Sequence, residues 1–414
     1  MGKFCVNTSG AKGSQALLKL IINTRGWKEE PCDTDVGDVF WAVTVEDIEA
    51  RLRRKKPQQR LAKIPGMTSL CNKVPFARMM KSLENADLYW PHTWILPDDT
   101  IPKSAFTKKG ALIYKPDGGT QGDGIFILLS AADLENRLSN MRGQTGIVQR
   151  YLSHPMLLGG KYKFDFRLYV LIASLDPLRV YLCREGLVRV CSDPYEKPAS
   201  GNQHKVSSHL TNYSLNKYTS NYVHSDDPHD GAHGSKRTLS SVLTHLQEGG
   251  LVEREKLWQQ IAALVGDTCA GLAEELCGPR ERVASLWPRG ELTPNQRRTC
   301  LGILGFDVML DQSGRPFLLE VNCNPSLDTD TVYPIEGPDA QPVPALPSAD
   351  TPDGQLAHAA LAFIRGRGEK PCRCMKHHRP HLHRPCLVDL VTKFAVVNGA
   401  LDIVRADKRA AKGG

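Results

Sequence analysis

Hydrophobic and polar positions alternate most clearly in Lys163-Phe164-Asp165-Phe166-Arg167-Leu168, where every second residue is charged. The continuous apolar run Leu168 to Leu175 follows. The pattern predicts a long, largely buried strand over Lys163–Ser174, paired with Leu178–Cys183 across an Asp176-Pro177 turn. Leu304–Leu310 and Phe317–Asn322 are apolar arms with embedded acids, joined through Ser313-Gly314, and predict a hairpin. Ala111–Leu129 reads strand, glycine loop, strand, and Gly146–Tyr151 a short strand. Residues 3–70 read as a small α/β unit with helices over Ser14–Asn23 and Thr44–Lys56. Helical periodicity also marks Cys71–Leu83 and Glu253–Leu276. Trp90–Pro97 reads as an extended, proline-bounded link, and Asn221–Lys236 as a polar loop or insertion.

The hairpin carries the sharpest chemical signal. With Ser313-Gly314 at the centre of the turn, Gln312 faces Arg315, and counting back sets Asp307 opposite Glu320. Glu320 and Asn322 are two apart and share a face. Two carboxylates and an amide oxygen then converge, a hard-oxygen set suited to Mg²⁺ bound with nucleotide phosphates. The alternative is a solvated acidic face, which fits Glu320 poorly because Leu318-Leu319 and Val321 bracket it.

The loop Lys115-Pro116-Asp117-Gly118-Gly119-Thr120-Gln121-Gly122-Asp123-Gly124-Ile125 joins two strands. Its glycines let backbone N–H groups approach phosphate, and Lys115 adds a cation. No Gly-Lys-Ser/Thr follows, so it is not a Walker A loop. Val148-Gln149-Arg150-Tyr151 is a strand end that could present backbone groups to an adenine edge. Period two puts Lys163, Asp165 and Arg167 on one face, with Lys161 just before them. Such a face is costly to bury unless it is paired or bound to a ligand, and structural salt bridges are the equal alternative. Arg184, on the next strand, suits phosphate or carboxylate.

Composition narrows the class. A chain of 414 residues can bury a large core. Met1–Gln15 is polar and glycine-rich, so no secretory leader is expected, and no apolar run approaches membrane-spanning length. The twelve cysteines show no framework and read as free thiols in a reducing compartment. The net charge of +8 is uneven: residues 361–414 hold twelve Lys/Arg against four Asp/Glu, leaving 41 of each in residues 1–360. That excess, including Lys370, Arg373, Lys376, Arg379 and Arg384, and a second cluster from Arg51 to Arg60, would attract an acidic partner. For the last ten residues a solvated, partly disordered tail is the better expectation. No pattern of stacking aromatics supports nucleic acid. Cys372 to Cys386 is dense in Cys and His, which points toward zinc. Its spacing matches no standard finger, so a basic, flexible loop is the leading reading.

The ordered set resembles the tubulin tyrosine ligase-like family, an ATP-grasp group. It comprises Lys115-Pro116 with Gln121-Gly122-Asp123-Gly124-Ile125, Lys163-Phe164-Asp165-Phe166-Arg167, Arg184-Glu185-Gly186, His209-Leu210-Thr211-Asn212-Tyr213, Phe306-Asp307 and Leu319-Glu320-Val321-Asn322. Pro65-Gly66-Met67 and Cys71–Arg78 extend the resemblance toward the N-terminus. It implies an α/β (α+β) ATP-grasp fold with ATP between two antiparallel sheets. The parts would be an N-terminal domain (1–70), a central domain (71–150), a C-terminal domain (151–333), a Pro-rich then Cys/His/basic insertion (334–385), and a helix with basic tail (386–414).

The implied activity is ATP-dependent amino-acid ligation through an acyl phosphate. The implied site has Lys73, Lys115, Gln121, Gly122, Gly124, Gln149, Tyr151, Lys161 and Asp165 toward nucleotide, and Asp307, Glu320 and Asn322 toward Mg²⁺. Arg167, Arg184, Lys163 and Asp165 would serve catalysis, and Arg184, His209, Thr211, Asn212 and Lys217 the substrate. Gln121-Gly122 and Phe164–Leu171 look most like polyglutamylases. The expected partners are free glutamate and tubulin or microtubules through their acidic tails, with no nucleic acid and no membrane. A monomer in the cytoplasm and cytoskeleton is expected, with cilium, flagellum or basal body as candidate sites. A glycylase of the same family and a non-catalytic microtubule-binding protein are the rivals. Asp123 departs from the Lys or Arg usual in the loop, and Ala62 from a usual Asn.

Overall fold

The computed structural model describes residues 3–42, 44–106, 110–119, 122–139, 145–216, 219, 221–225, 227–287, 291–336, 343–364, 372 and 380–413. It is a mixed α/β protein built on three main sheets. The N-terminal sheet is all parallel, in the order Lys28–Glu30, Cys5–Asn7, Val39–Phe40, Arg60–Leu61. The helix Gln15–Thr24 covers it because Leu17, Leu18, Ile21 and Ile22 fall on one stripe, all buried. Thr44 starts the helix Val45–Arg54 with a capping box. Its hydroxyl accepts from the Asp47 N–H at 3.2 Å, and the Asp47 carboxylate accepts from the Thr44 N–H at 3.1 Å.

Two antiparallel sheets follow. The smaller has the order Thr93–Leu96, Gly146–Arg150, Leu112–Pro116, Phe126–Leu128. The expected link Trp90–Pro97 therefore contains an edge strand: Thr93–Leu96 is fully buried and gains its ladder from Gly146–Arg150. The larger sheet runs Lys236–Thr238, Leu178–Val190, Tyr162–Leu175, Gly302–Leu310, Pro316–Asn322. Its second strand is longer than the apolar pattern indicates, continuing past Cys183 to Val190.

Tyr162–Leu175 is the centre of the molecule. On one face Phe164, Phe166, Leu168, Val170 and Ile172 join Leu257, Trp258, Ile261, Leu264 and Val265 of the helix Arg254–Cys277. The other face changes character along its length. Tyr169, Leu171 and Ala173 pack with Leu17, Ile21, Leu401 and Val404, whereas Lys163 and Asp165 line a cleft and Arg167 lies opposite Asp307, which lines it too. The helix Leu239–Glu248 packs against Leu178–Val190 with Leu239, Val242, Leu243 and Leu246 buried.

Part of the Arg51–Arg60 cluster is paired within the protein. Arg51 is buried with Asp33 and Asp35, Arg54 pairs with Asp33, and Arg60 bonds Asp407 at 3.0 Å. Arg53 and Lys56 of the same cluster are exposed. Of the last ten residues, 405–413 continue the helix Leu387–Gly413 instead of an irregular tail, with Asp407 held by Arg60 and Arg179 and Lys408 paired with Asp38. Of the five loop cations only Arg384 is described; Lys370, Arg373, Lys376 and Arg379 lie outside the described residues. Among the described residues no helix is long and apolar enough to cross a membrane.

The helix Leu387–Gly413 is anchored by Asp389, buried between Lys236 and Lys393, the latter at 2.8 Å. Replacing Asp389 by Asn leaves two buried ammonium groups without their counter-charge. The expected loss is about 3–5 kcal/mol. Asp402→Asn, which breaks a half-exposed pair with Arg25, should cost under about 1 kcal/mol. Urea unfolding of the two variants checks this; equal losses would show that burial of the Asp389 pair carries no weight.

Candidate active site

The hairpin forms, with a different turn. Asp311 N–H donates to the Arg315 carbonyl at 2.9 Å, and the Asp311 carboxylate accepts from the Ser313 and Arg315 N–H groups. Gly314 supplies the positive φ of 83° that the turn requires. Leu310 faces Pro316 and Val308 faces Leu318, one residue off the counted register. A bulge at Leu319 then restores Asp307 opposite Glu320 and Gly305 opposite Asn322. The Gln312–Arg315 pairing is thus corrected while the Asp307–Glu320 pairing stands. The bulge also lets Leu318 and Val321 both enter the core although they are three apart.

The strand register sets the ions. Asp165 lies opposite Arg189, and Arg167 opposite Asp307. Arg167 donates to both Asp307 oxygens, at 2.5 and 3.0 Å. Arg189 donates to Asp165 at 2.8 Å and reaches Asp307 at 2.8 Å. Burial pushes the Asp307 carboxyl up, but the two guanidinium groups outweigh it and hold it well below the usual carboxylate range. Burial, then the Asp307 charge, push Glu320 up. The Asn322 amide sits 3.3 Å from Glu320 and 3.5 Å from Asp307.

The opposite wall comes from the smaller sheet and the helix Lys73–Ser82. Lys73 donates to the Gly119 carbonyl at 2.7 Å, and Asp117 accepts from the Val74 N–H at 2.8 Å, tying the glycine loop to the start of that helix. Lys115 donates to Gln149 Oε1 at 2.9 Å and to the Leu319 carbonyl at 3.3 Å. Gln149 is buried and also donates to Thr93 Oγ1, so its side chain positions Lys115. Gly122 has φ +88°, and a Cβ there would meet Leu215 at 2.5 Å; Gly124 has φ +69°. Lys163 donates to the Tyr151 hydroxyl at 2.7 Å and to the His209 carbonyl at 2.9 Å. Burial pushes Lys115 and Lys163 down to about 8. Burial, and then Lys163, lower His209. Thr211 and Asn212 complete the wall of a 430 Å³ cleft.

Two expectations change. Arg184 does not face this cleft: it is exposed and stacks over Trp258 at 5.3 Å, on the far side of the sheet. Strand parity is the reason, because Arg184 shares a face with Leu182 and Val180, which pack on the Trp258 core. Arg189, of opposite parity, lies in the cleft. The alternation Leu187-Val188-Arg189 would have found it had the strand been carried beyond Cys183. Lys161 is exposed in the turn before the central strand and lies over Tyr162. Gln121 and Lys217 lie outside the described residues.

Two antiparallel sheets facing across a cleft, with Asp165, Asp307, Glu320 and Lys163 on the larger and buried Lys115 on the smaller, define an ATP-grasp-like α/β architecture. Residues 51–336 match the profile of the Tubulin-tyrosine ligase family, and the chain belongs to that family. It is 36% identical over 357 residues to Tubulin polyglutamylase TTLL11 of Homo sapiens, covering 82% of this chain and 48% of that protein. It is 36% identical over 420 residues to Tubulin polyglutamylase TTLL11 of Mus musculus (97% and 55%). It is 37% identical over 317 residues to Tubulin polyglutamylase TTLL13 of Homo sapiens (74% and 37%). The chain spans about half the length of the TTLL11 relatives.

Lys115 and Lys163 donate to neutral acceptors and lie near 8, against the ordinary 10.5. Their ammonium fraction therefore falls as pH rises through 8, and a bound polyanion, which favours the charged form, should raise both values. Lysine ¹³Cε NMR should show two resonances with midpoints near 8 that Lys115→Met and Lys163→Met remove one at a time. Adding triphosphate should move the midpoints upward. Midpoints above 10 without added anion would contradict the desolvated setting.

Proposed function

We propose that this chain is the ligase portion of a tubulin polyglutamylase, joining free glutamate to carboxylates of acidic tubulin tails at the expense of ATP. The observation that carries the reading is the hairpin set Asp307, Glu320 and Asn322 sharing one cleft with the buried Lys115 and Lys163. The relatives are tubulin polyglutamylases, which supports glutamate as donor and tubulin as acceptor, and with tubulin a cytoskeletal location.

In the reaction proposed, the γ-phosphoryl of ATP passes to the acceptor carboxylate. The glutamate amine then attacks that carbonyl, a C–N bond forms, phosphate leaves, and the amine loses a proton. Asp307, Glu320 and Asn322 fit Mg²⁺ because all three can offer hard oxygens, Asn322 once its amide oxygen turns inward. When bound, Mg²⁺ would offset the charge of the phosphates. Lys73 and Lys115 stand beside the glycine loop, placed to meet those phosphates. Arg167 and Arg189 fix Asp307 and present guanidinium edges where a transferring phosphoryl or reacting carboxylate would sit. Lys163, next to His209, Thr211 and Asn212, suits a second carboxylate. Positioning and fixed charge do most of the work.

Purified protein with ATP, Mg²⁺, tubulin and each labelled amino acid in turn tests the reading. Glutamate should be incorporated well above glycine or tyrosine. A preference for glycine would make the chain a glycylase, and no incorporation of any amino acid would favour a non-catalytic tubulin binder. Glu320→Gln should lower the rate roughly 100-fold or more while leaving the fold intact. A rate within about three-fold of the parent would sink the metal-ligand assignment. Arg189→Ala should behave like Glu320→Gln, whereas Arg184→Ala should stay within about three-fold. The reverse ranking would restore Arg184 to the site.

A further inference from the structure

The 334–385 segment returns to its starting point. Asp330–Pro334 pairs antiparallel with His381–Pro385 as a two-stranded sheet separate from the others. Cys372 joins its outer edge: the Cys372 N–H donates to the His381 carbonyl at 2.8 Å, and the His381 N–H returns to the Cys372 carbonyl at 3.1 Å. Residues paired in this reciprocal way project their side chains to the same side. His383, two residues from His381, projects to that side as well. The outcome is one thiol and two imidazoles whose ligand atoms all lie within 4.8 Å of one another. His381 is 1% and His383 6% exposed, and their ring centroids are 5.1 Å apart at an interplanar angle of 60°.

We propose that Cys372, His381 and His383 form a zinc site at the base of this segment. A mixed thiolate and imidazole set selects a borderline-soft ion such as Zn²⁺ over Mg²⁺ or Ca²⁺. A tetrahedral zinc site has ligand atoms about 3.5 Å apart, so rotamer adjustments of about 1 Å close the triangle. The neighbouring carboxylate fits the same assignment. Asp330 Oδ2 lies 2.5 Å from His383 Nδ1, which fits the tautomer with Nδ1 protonated and makes Nε2 the ligand nitrogen. Carboxylate–histidine pairs of this kind recur behind zinc ligands, where they orient the ring and raise its basicity. On binding, the Cys372 thiol gives up its proton and the sulfur lone pair becomes a metal bond; nothing is oxidised or reduced.

The ion would do what the hairpin cannot do for itself. A lone two-stranded ribbon is at best marginally stable in water. This one lies between the hairpin strand that ends at Asn322 and the helix Leu387–Gly413. Fastening it would hold the start of that helix, where Asp389 meets Lys236 and Lys393. The cleft lies elsewhere: none of the three ligands lines it. The site would be structural and independent of the ligase reading.

Tag-free protein, purified in reducing buffer without added metal, is analysed by mass spectrometry of its metals. About one zinc per chain is expected. After chelation, Co²⁺ should restore tetrahedral visible absorption and a thiolate-to-metal charge-transfer band. Cys372→Ser should abolish that band, and Asp330→Asn should weaken Co²⁺ binding about 10–100-fold with the band retained. Should Cys372→Ser fail to fold, the parent protein still decides the matter: zinc should slow alkylation of Cys372, read on its own peptide, and leave exposed Cys32 unprotected. Absent zinc with no cobalt band, a Cys372→Ser variant that keeps its metal, or a Cys372 alkylated equally fast with and without zinc would each overturn the proposal.

Discussion

Four buried charges on three adjacent strands set the terms for the rest of the molecule. Asp165 and Arg167 lie on the central strand, Arg189 on one neighbour and Asp307 on the other. Each ion costs several kcal/mol to bury, and only close pairing offsets that cost. The pairing exists in one register alone. Sliding either neighbour by one residue would turn its charge toward Phe164, Phe166 and Trp258 and leave its partner buried without a counter-ion. The polar cluster therefore specifies the sheet, and the sheet in turn holds Asp307 beside Glu320. Site and fold are one constraint seen from two sides.

The cluster is balanced within itself, so the rest of the cleft is not. Asp165 and Asp307 are matched by Arg189 and Arg167, while Lys115 and Lys163 donate only to neutral oxygens and pay for burial with depressed pKa values. Glu320 is pushed the other way by the same burial and by Asp307. A polyanion with its cation corrects both at once: the anion restores the lysines and the cation restores the glutamate. The charges that line the cleft therefore favour a ligand of this composition.

What was legible in the sequence follows from how local each cause is. Period two exposed the Lys163–Asp165–Arg167 face, and the acid-bearing arms exposed the hairpin, because neighbouring residues alone decide those patterns. The Asp307–Glu320 pair was reached although the assumed turn was one residue out, since the bulge at Leu319 cancelled the error. Arg189 was missed because its strand loses its apolar signature at Arg184-Glu185-Gly186, and only long-range pairing with the central strand continues it. Thr93–Leu96 was missed for the same reason: between prolines it reads as a link, and its partner lies fifty residues away. The family resemblance supplied the order of motifs, yet it placed the arginine on the wrong side of the sheet, where strand parity decides.

Charge shows the limit of composition more sharply. The whole excess of positive charge lies after residue 360, which invites a surface that captures acidic tails. Several of the described cations there are occupied within the protein: Lys393 with Asp389, Lys408 with Asp38, and Arg405 over Trp27. Arg60 and Arg179 return the relation by holding Asp407. The helix Leu387–Gly413 is thus bound by ion pairs to the N-terminal sheet and to the strand Leu178–Val190 as well as by Leu401 and Val404. Its charges act as fasteners for the apolar half of the central strand's face. The other half of that face, left uncovered by the helix, is where Lys163 and Asp165 meet the cleft and Arg167 holds Asp307 at its edge. The length over which the helix covers the sheet is therefore what divides one strand into a core and a site.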